Sequence, residues 1–158
     1  MQEAPRLSLR WIVRLAVLAL LASQGPMHGY AIYKRLLSIF ARARLISPSL
    51  VYTVLSELEQ EELVEEAGFV EGAPSGGRRL LRITEKGLNH LAEHGGMAWR
   101  LFGELLVLLV QGEAEARLQI GDYGGLVNLA GEVIGLSEKL RKIGERVLPE
   151  TGGSEEVR

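Results

Sequence analysis

Two kinds of polar side chain in this sequence are spaced to grip a polyanion. Arg78, Arg79, Arg82 and Lys86 follow the glycine-rich stretch Gly72-Ala73-Pro74-Ser75-Gly76-Gly77, Arg42 and Arg44 fall in a short connector, and Lys34 and Arg35 in the segment before it. Cations placed on the rim of a binding module neutralise phosphates whatever the base sequence. Ser49, Thr53 and Ser56 are different: they share one side of the segment that opens at Ser47-Pro48. Near a helix start, hydroxyls, free N–H groups and the helix dipole can all donate to phosphates or base edges. The plainer alternatives are a solvated loop for Arg42 and Arg44 and an ordinary polar helix face for Lys34 and Arg35.

Holding these groups in place takes a scaffold, and the apolar periodicity supplies one. Leu9, Ile12, Val13, Ala16, Val17, Leu20 and Leu21 recur at three and four residues, the stripe of an amphipathic helix. Gly25-Pro26 punctuates the chain, and a second helix is predicted from about His28 to Phe40, with its stripe on Ile32 or Tyr33, Leu36, Leu37 and Phe40. After the connector, Ser47 is a good N-cap and Pro48 suits the first helical position, where its missing N–H costs nothing. Val51, Val54, Leu55 and Leu58 then face inward, so Ser49, Thr53, Ser56 and Gln60 face out. Two short strands, Leu63 to Val70 and Arg79 to Ile83, flank the glycine-rich tip. Three helices followed by a β-hairpin make a mainly α winged helix-turn-helix, in which the third helix enters the major groove and the wing touches the minor groove or backbone.

Several motifs fall in the order found in one family. Gly25-Pro26-Met27-His28-Gly29-Tyr30, the Ser47-Pro48 start followed by Tyr52, Leu55, Leu58 and Glu59, and Thr84-Glu85-Lys86-Gly87 together resemble the PadR family of transcriptional regulators. The resemblance implies a homodimer that binds double-stranded DNA. It also implies that Tyr52 touches a phosphate or packs beneath its helix, and that Trp99 and Phe102 can line a pocket for a flat aromatic effector, with simple packing as the alternative. The sequence departs from the family pattern where Ser49 replaces a glycine, Thr53 a proline and Glu62 the glycine that usually ends the helix. No Lys or Arg occurs in the third helix, while Glu57, Glu59, Glu61, Glu62, Glu65 and Glu66 occur in and after it. Facing DNA they would repel phosphate, so affinity must come from the connector and wing arginines.

Beyond the wing, Thr84 is placed to cap a fourth helix, and Gly95-Gly96 is expected to break or bend it before the strongly apolar Met97 to Val110. Leu126, Leu129, Val133, Leu136, Leu140, Ile143 and Val147 alternate at three and four residues, an uninterrupted a/d seam for a partner helix from this chain or a second copy. These patterns divide the chain into a DNA-binding domain over 7–94, a helical dimerisation region over 96–148 and a disordered tail over 149–158.

The 158 residues carry a formal charge of −2, spread unevenly: residues 1–90 hold 11 Lys and Arg against 9 Asp and Glu, and residues 91–158 hold 7 against 11. A basic front half suits a polyanion-facing module, although the excess is small. Without cysteine there is no disulfide framework or thiolate zinc site, which fits a cytoplasmic protein. His90 and His94 are four apart, yet no third ligand accompanies them and the zinc-protease glutamate is missing between them. No phosphate loop, nucleophile elbow or Cys/His pair occurs, so neither an enzyme nor a cofactor or metal is expected. Arg6 to Ser23 resembles a signal peptide in charge and length, but its helical stripe argues against that, and Leu105 to Val110 is too short to cross a membrane. Two other classes fit: a winged helix used for protein interaction, favoured by the acidic third helix, and a small-molecule sensor built around Trp99.

Overall fold

The computed structural model describes residues 7–40, 44–70 and 78–148. Arg42, the tip at 71–77 and the tail at 149–158 lie outside the described residues. The chain divides into two compact units, Met1–Arg100 and Leu101–Arg158.

The first unit assembles the winged helix. Helix α1 (Leu9–Gln24) is capped by Ser8, whose hydroxyl accepts the Trp11 N–H, and it ends at Gly25 in the left-handed region at φ 83°. Strand β1 (Met27–His28) and helix α2 (Gly29–Phe40) follow directly, with His28 Nδ1 accepting the Ala31 N–H at 3.1 Å. Helix α3 (Pro48–Gln60) begins as its sequence dictates, the Ser47 hydroxyl accepting the Leu50 N–H at 3.1 Å. It ends with Glu62 at φ 60° and the Leu63 N–H bonded to the Leu58 carbonyl at 2.8 Å. That left-handed cap is where a glycine would sit without strain, so Glu62 is held in a conformation an ordinary side chain resists. Val13, Val17, Leu18 and Leu21 of α1, Ile32 and Leu36 of α2, and Val51, Val54, Leu55 and Leu58 of α3 form the core, all essentially sealed from solvent. Each such side chain contributes about 1.5–3 kcal/mol.

The wing differs from a simple hairpin. Strands β2 (Val64–Val70) and β3 (Arg78–Ile83) pair antiparallel, and β1 adds itself to the other side of β3 through Met27 opposite Leu81 and His28 opposite Leu80. Two residues carry no periodicity, which is why β1 is invisible in the sequence. A bulge at Glu66/Gly68 kinks β2, with Gly68 at φ 136°.

Helix α4 (Glu85–Ile120) is locked to the wing at its start. Thr84 donates its hydroxyl to the Glu62 carbonyl at 2.7 Å and accepts the Gly87 N–H at 3.0 Å. A Cβ on Gly87 would stand 2.1 Å from the Leu63 carbonyl oxygen, which itself accepts the Thr84 N–H. Backbone cannot yield there as a flexible side chain would. Gly87→Ala is therefore expected to destabilise the winged unit by about 3 kcal/mol, the upper end for overpacking, with thermal unfolding as the readout. An unchanged midpoint would show that the α4 start can shift freely.

The expected break at Gly95-Gly96 does not occur: α4 runs through both glycines. Each costs about 1 kcal/mol of helix propensity, a penalty that 36 residues of continuous helix outweigh. The missing Cβ atoms also leave room for Leu91 and Arg100, whose side chains come within 3.4 and 3.3 Å of where those atoms would be.

The second unit comprises the distal part of α4 and helix α5 (Tyr123–Val147). Gly121 at φ 73° and Asp122, which accepts the Gly125 N–H at 2.9 Å, make the turn. That N–H bond, and then Arg117 beside it, hold the Asp122 carboxyl below its ordinary range.

Candidate nucleic-acid interface

The inward stripe of α3 leaves the opposite face uncovered. Ser49, Tyr52, Thr53, Ser56 and Gln60 are all exposed and share a shallow groove on that face. Tyr52 is half exposed, and its ring also covers Gly29, where a Cβ would stand 2.9 Å from Tyr52 Cε1. It therefore braces the start of α2 while remaining open to a ligand.

The six glutamates in and after α3 are each matched by a cation. Glu57 pairs with Arg10 and Arg14 of α1, and Glu61 with Arg14. Glu65 pairs with Arg82 at 2.8 Å directly across the β2–β3 ladder, and Glu62 lies 3.7 Å from Lys86, whose ammonium also donates to the Glu61 carbonyl at 2.8 Å. Arg79 sits between Glu59 at 2.9 Å and Glu66 at 3.6 Å. Arg10 and Arg14 belong to no motif in the sequence, yet their spacing of four matches that of Glu57 on α3 and Glu61 just past its end, on the element packed against α1.

Consequently the cations expected on the rim fall into two groups. Arg79, Arg82 and Lys86 are engaged with carboxylates inside the chain. Lys34, Arg35, Arg44 and Arg78 are exposed and have no ion pair among the described residues. The Arg78 guanidinium lies over the Tyr30 ring, 5.8 Å from its centroid. Ion pairs as exposed as these contribute about 0–1 kcal/mol, so a phosphate can replace the carboxylate.

Only part of the expected set converges. A cleft of about 530 Å³ is lined by Tyr30, Tyr52, Ser56, Glu59, Arg78 and Arg79, with the buried Leu55 and Leu81 also on its wall. Ser49 and Thr53 lie on the adjoining face of α3, while Lys34, Arg35, Arg44, Arg82 and Lys86 do not line the cleft.

Elsewhere in the first unit, the His90 and His94 rings lie 4.3 Å apart. Burial, then His94 and Arg14, hold His90 below the ordinary imidazole range. No group of three ligating side chains suited to a metal occurs among the described residues. Trp99 is 66% exposed with the Arg100 guanidinium 5.5 Å from its ring centroid; Phe102, which belongs to the second unit, is exposed as well.

In the second unit no residue of α5 is buried. Leu126 and Leu129 are half-buried, and Val133, Leu136, Leu140, Ile143 and Val147 are exposed, Val147 to 73%. Leu129, Val133 and Leu136 face Leu106, Leu109 and Val110 of α4 across a groove of about 590 Å³. Leu105 through Leu109 are all exposed as well, and five consecutive apolar residues point in every direction round a helix. One neighbouring helix cannot cover them. Among the described residues no helix is long and apolar enough to cross a membrane.

The transcriptional regulator PadR-like family model matches residues 17–93. No curated protein matches the chain. Among solved structures, a PadR-like transcriptional regulator from Bacillus cereus is 23% identical with a TM-score of 0.51, over 65% of this chain and 95% of that one. A putative transcriptional regulator from Thermoplasma acidophilum is also 23% identical at a TM-score of 0.51, covering 65% and 94%. A Streptococcus transcriptional regulator reaches 0.52 at 15% identity, covering 63% and 94%. At these identities the likeness concerns the fold.

Proposed function

We propose, from the match of residues 17–93 to the model of the PadR-like transcriptional regulator family, that this chain is a DNA-binding regulator that represses transcription as a homodimer on an inverted-repeat operator. The observation that carries the proposal is the uncovered face of α3, where Ser49, Tyr52, Thr53 and Ser56 stand open beside Arg78 and Arg79, and where Glu57 and Glu59 are paired with arginines of the same chain. The hydroxyls of Ser49, Thr53 and Ser56 read base edges or phosphates, and Tyr52 contacts the backbone. Lys34, Arg35, Arg42 and Arg44 neutralise phosphates on the flank, and Arg82 and Lys86 do so when they exchange their carboxylates for DNA. Two-fold symmetry sets the paired α3 helices about one helical turn of DNA, roughly 34 Å, apart.

The DNA-binding domain spans about 7–94 and the dimerisation region about 96–148, where the α5 seam of Leu126, Leu129, Val133, Leu136, Leu140, Ile143 and Val147 meets its counterpart. A small aromatic effector binding near Trp99 and Phe102 would relieve repression, since Trp99 offers a largely bare ring. The setting is the cytoplasm, where the operator is. Selection of bound fragments from random or genomic DNA tests binding, symmetry and site together. The expected product is a palindromic motif with half-sites about ten base pairs apart; an enriched pool without two-fold symmetry would overturn the dimeric reading.

A second reading draws support from the ion pairs on Arg79, Arg82 and Lys86. A winged helix whose cations stay engaged serves as a protein-interaction module, and a gel shift with no salt-sensitive binding would favour it.

A further inference from the structure

We propose that the cleft between α3 and β3 is a seat for one backbone phosphate of duplex DNA, and that Glu59 occupies the phosphate's place on Arg79 until DNA arrives. This rests on the DNA-binding reading above and adds to it a built-in competitor. The guanidinium of Arg79 donates from Nη2 to Glu59 Oε2 at 2.9 Å, while its Nη1 lies 3.6 Å from Glu66 Oε2. Both ends of the fork that would clasp a phosphate are thus turned toward carboxylate oxygens. On the same cleft wall Arg78 stacks on Tyr30 and has no ion pair among the described residues. A second guanidinium is therefore ready when the first is released. The side chains of Arg79 and Glu59 are 48% and 24% exposed, open enough for exchange in water.

Geometry gives this competition a direction. Glu59 sits on the recognition helix itself, so a phosphate entering the seat meets its carboxylate as well as the two arginines. Binding then requires Arg79 to change partner and leaves Glu59 beside the DNA, where it gathers a cation and cancels part of the counterion release. The intramolecular pair lowers affinity for every duplex alike and makes weakly held, non-cognate DNA easier to leave.

Glu59→Gln keeps the shape and removes the charge, and it is measured by fluorescence anisotropy on the full chain with a labelled mixed-sequence duplex of about 30 base pairs, enough for two half-sites. Glu145→Gln serves as control for the charge change, because Glu145 pairs with Arg141 on α5 and does not line the cleft. The expected result is about two- to fivefold tighter binding for Glu59→Gln, the factor matching an exposed ion pair, with a salt dependence steeper by about 0.9 per protomer. In an Arg79→Ala background the gain should shrink. Unchanged or weaker binding by Glu59→Gln, or an equal gain from Glu145→Gln, overturns the seat while leaving the DNA reading intact. Absence of salt-sensitive binding by the parent protein removes both.

Discussion

The double variant Arg78→Ala, Arg79→Ala is expected to bind every duplex about 100-fold more weakly at low salt, with an affinity that varies less with salt. The size follows from four phosphate contacts in a dimer, at about 0.7 kcal/mol each for exposed charge pairs, which together give a factor of about 100. The slope of log affinity on log salt flattens by between about 1.8 and 3.6. The lower figure counts Arg78 of both protomers, and the higher adds Arg79 if its release from Glu59 is complete. Both side chains are exposed, so the folded unit should melt near the parent temperature. Loss of Arg79 also leaves Glu59 and Glu66 uncompensated near the backbone, adding repulsion of the same sign. Sequence preference should survive, because the hydroxyl face of α3 is untouched. If the double variant matched the parent at every salt concentration, the wing would have no part in binding.

What the sequence made legible was whatever local physics decides alone. Ser47-Pro48 announces the start of α3 because a cap and a proline act within one turn, and the stripe Val51, Val54, Leu55, Leu58 faces inward because period and burial agree. Thr84 likewise caps α4 through its own hydroxyl. The continuity of α4 through Gly95-Gly96 was not legible, since propensity records a cost and nothing of the long helix that absorbs it. Strand β1 exists only because β3 offers it an edge. The site was half legible for the same reason. Residue types pointed to Arg78, Arg79, Ser49, Thr53 and Ser56, which line two adjoining clefts, whereas the pairing of six glutamates with α1, β3 and α4 is tertiary. A run of carboxylates in sequence looks like a repulsive surface until the cations that face it are known.

Leu136→Asp is expected to convert the protein to a monomer. In one chain the α5 seam is left open, with Leu136 itself 40% exposed and no residue of the helix buried. Seven aliphatic side chains at about 1.5–3 kcal/mol each, if fully covered, amount to on the order of 10 kcal/mol, enough to hold two copies together. A carboxylate at the seam's centre faces no cation among its groove neighbours Leu106, Leu109, Leu129 and Val133. Closing the interface over it costs several kcal/mol per protomer, and by symmetry the cost is incurred twice, so the dissociation constant rises at least about a thousandfold. Sedimentation velocity should report a single species of half the parent mass. Because Leu136 also faces α4 across the groove within its own chain, helix content must be followed by circular dichroism. Ile143→Asp provides a second variant outside that groove. A Leu136→Asp protein with intact helices that still sediments as a dimer would show that the seam is filled from its own chain. The two recognition helices would then have to be yoked through another surface, of which the bare Leu105 to Leu109 segment is the largest uninterrupted apolar stretch.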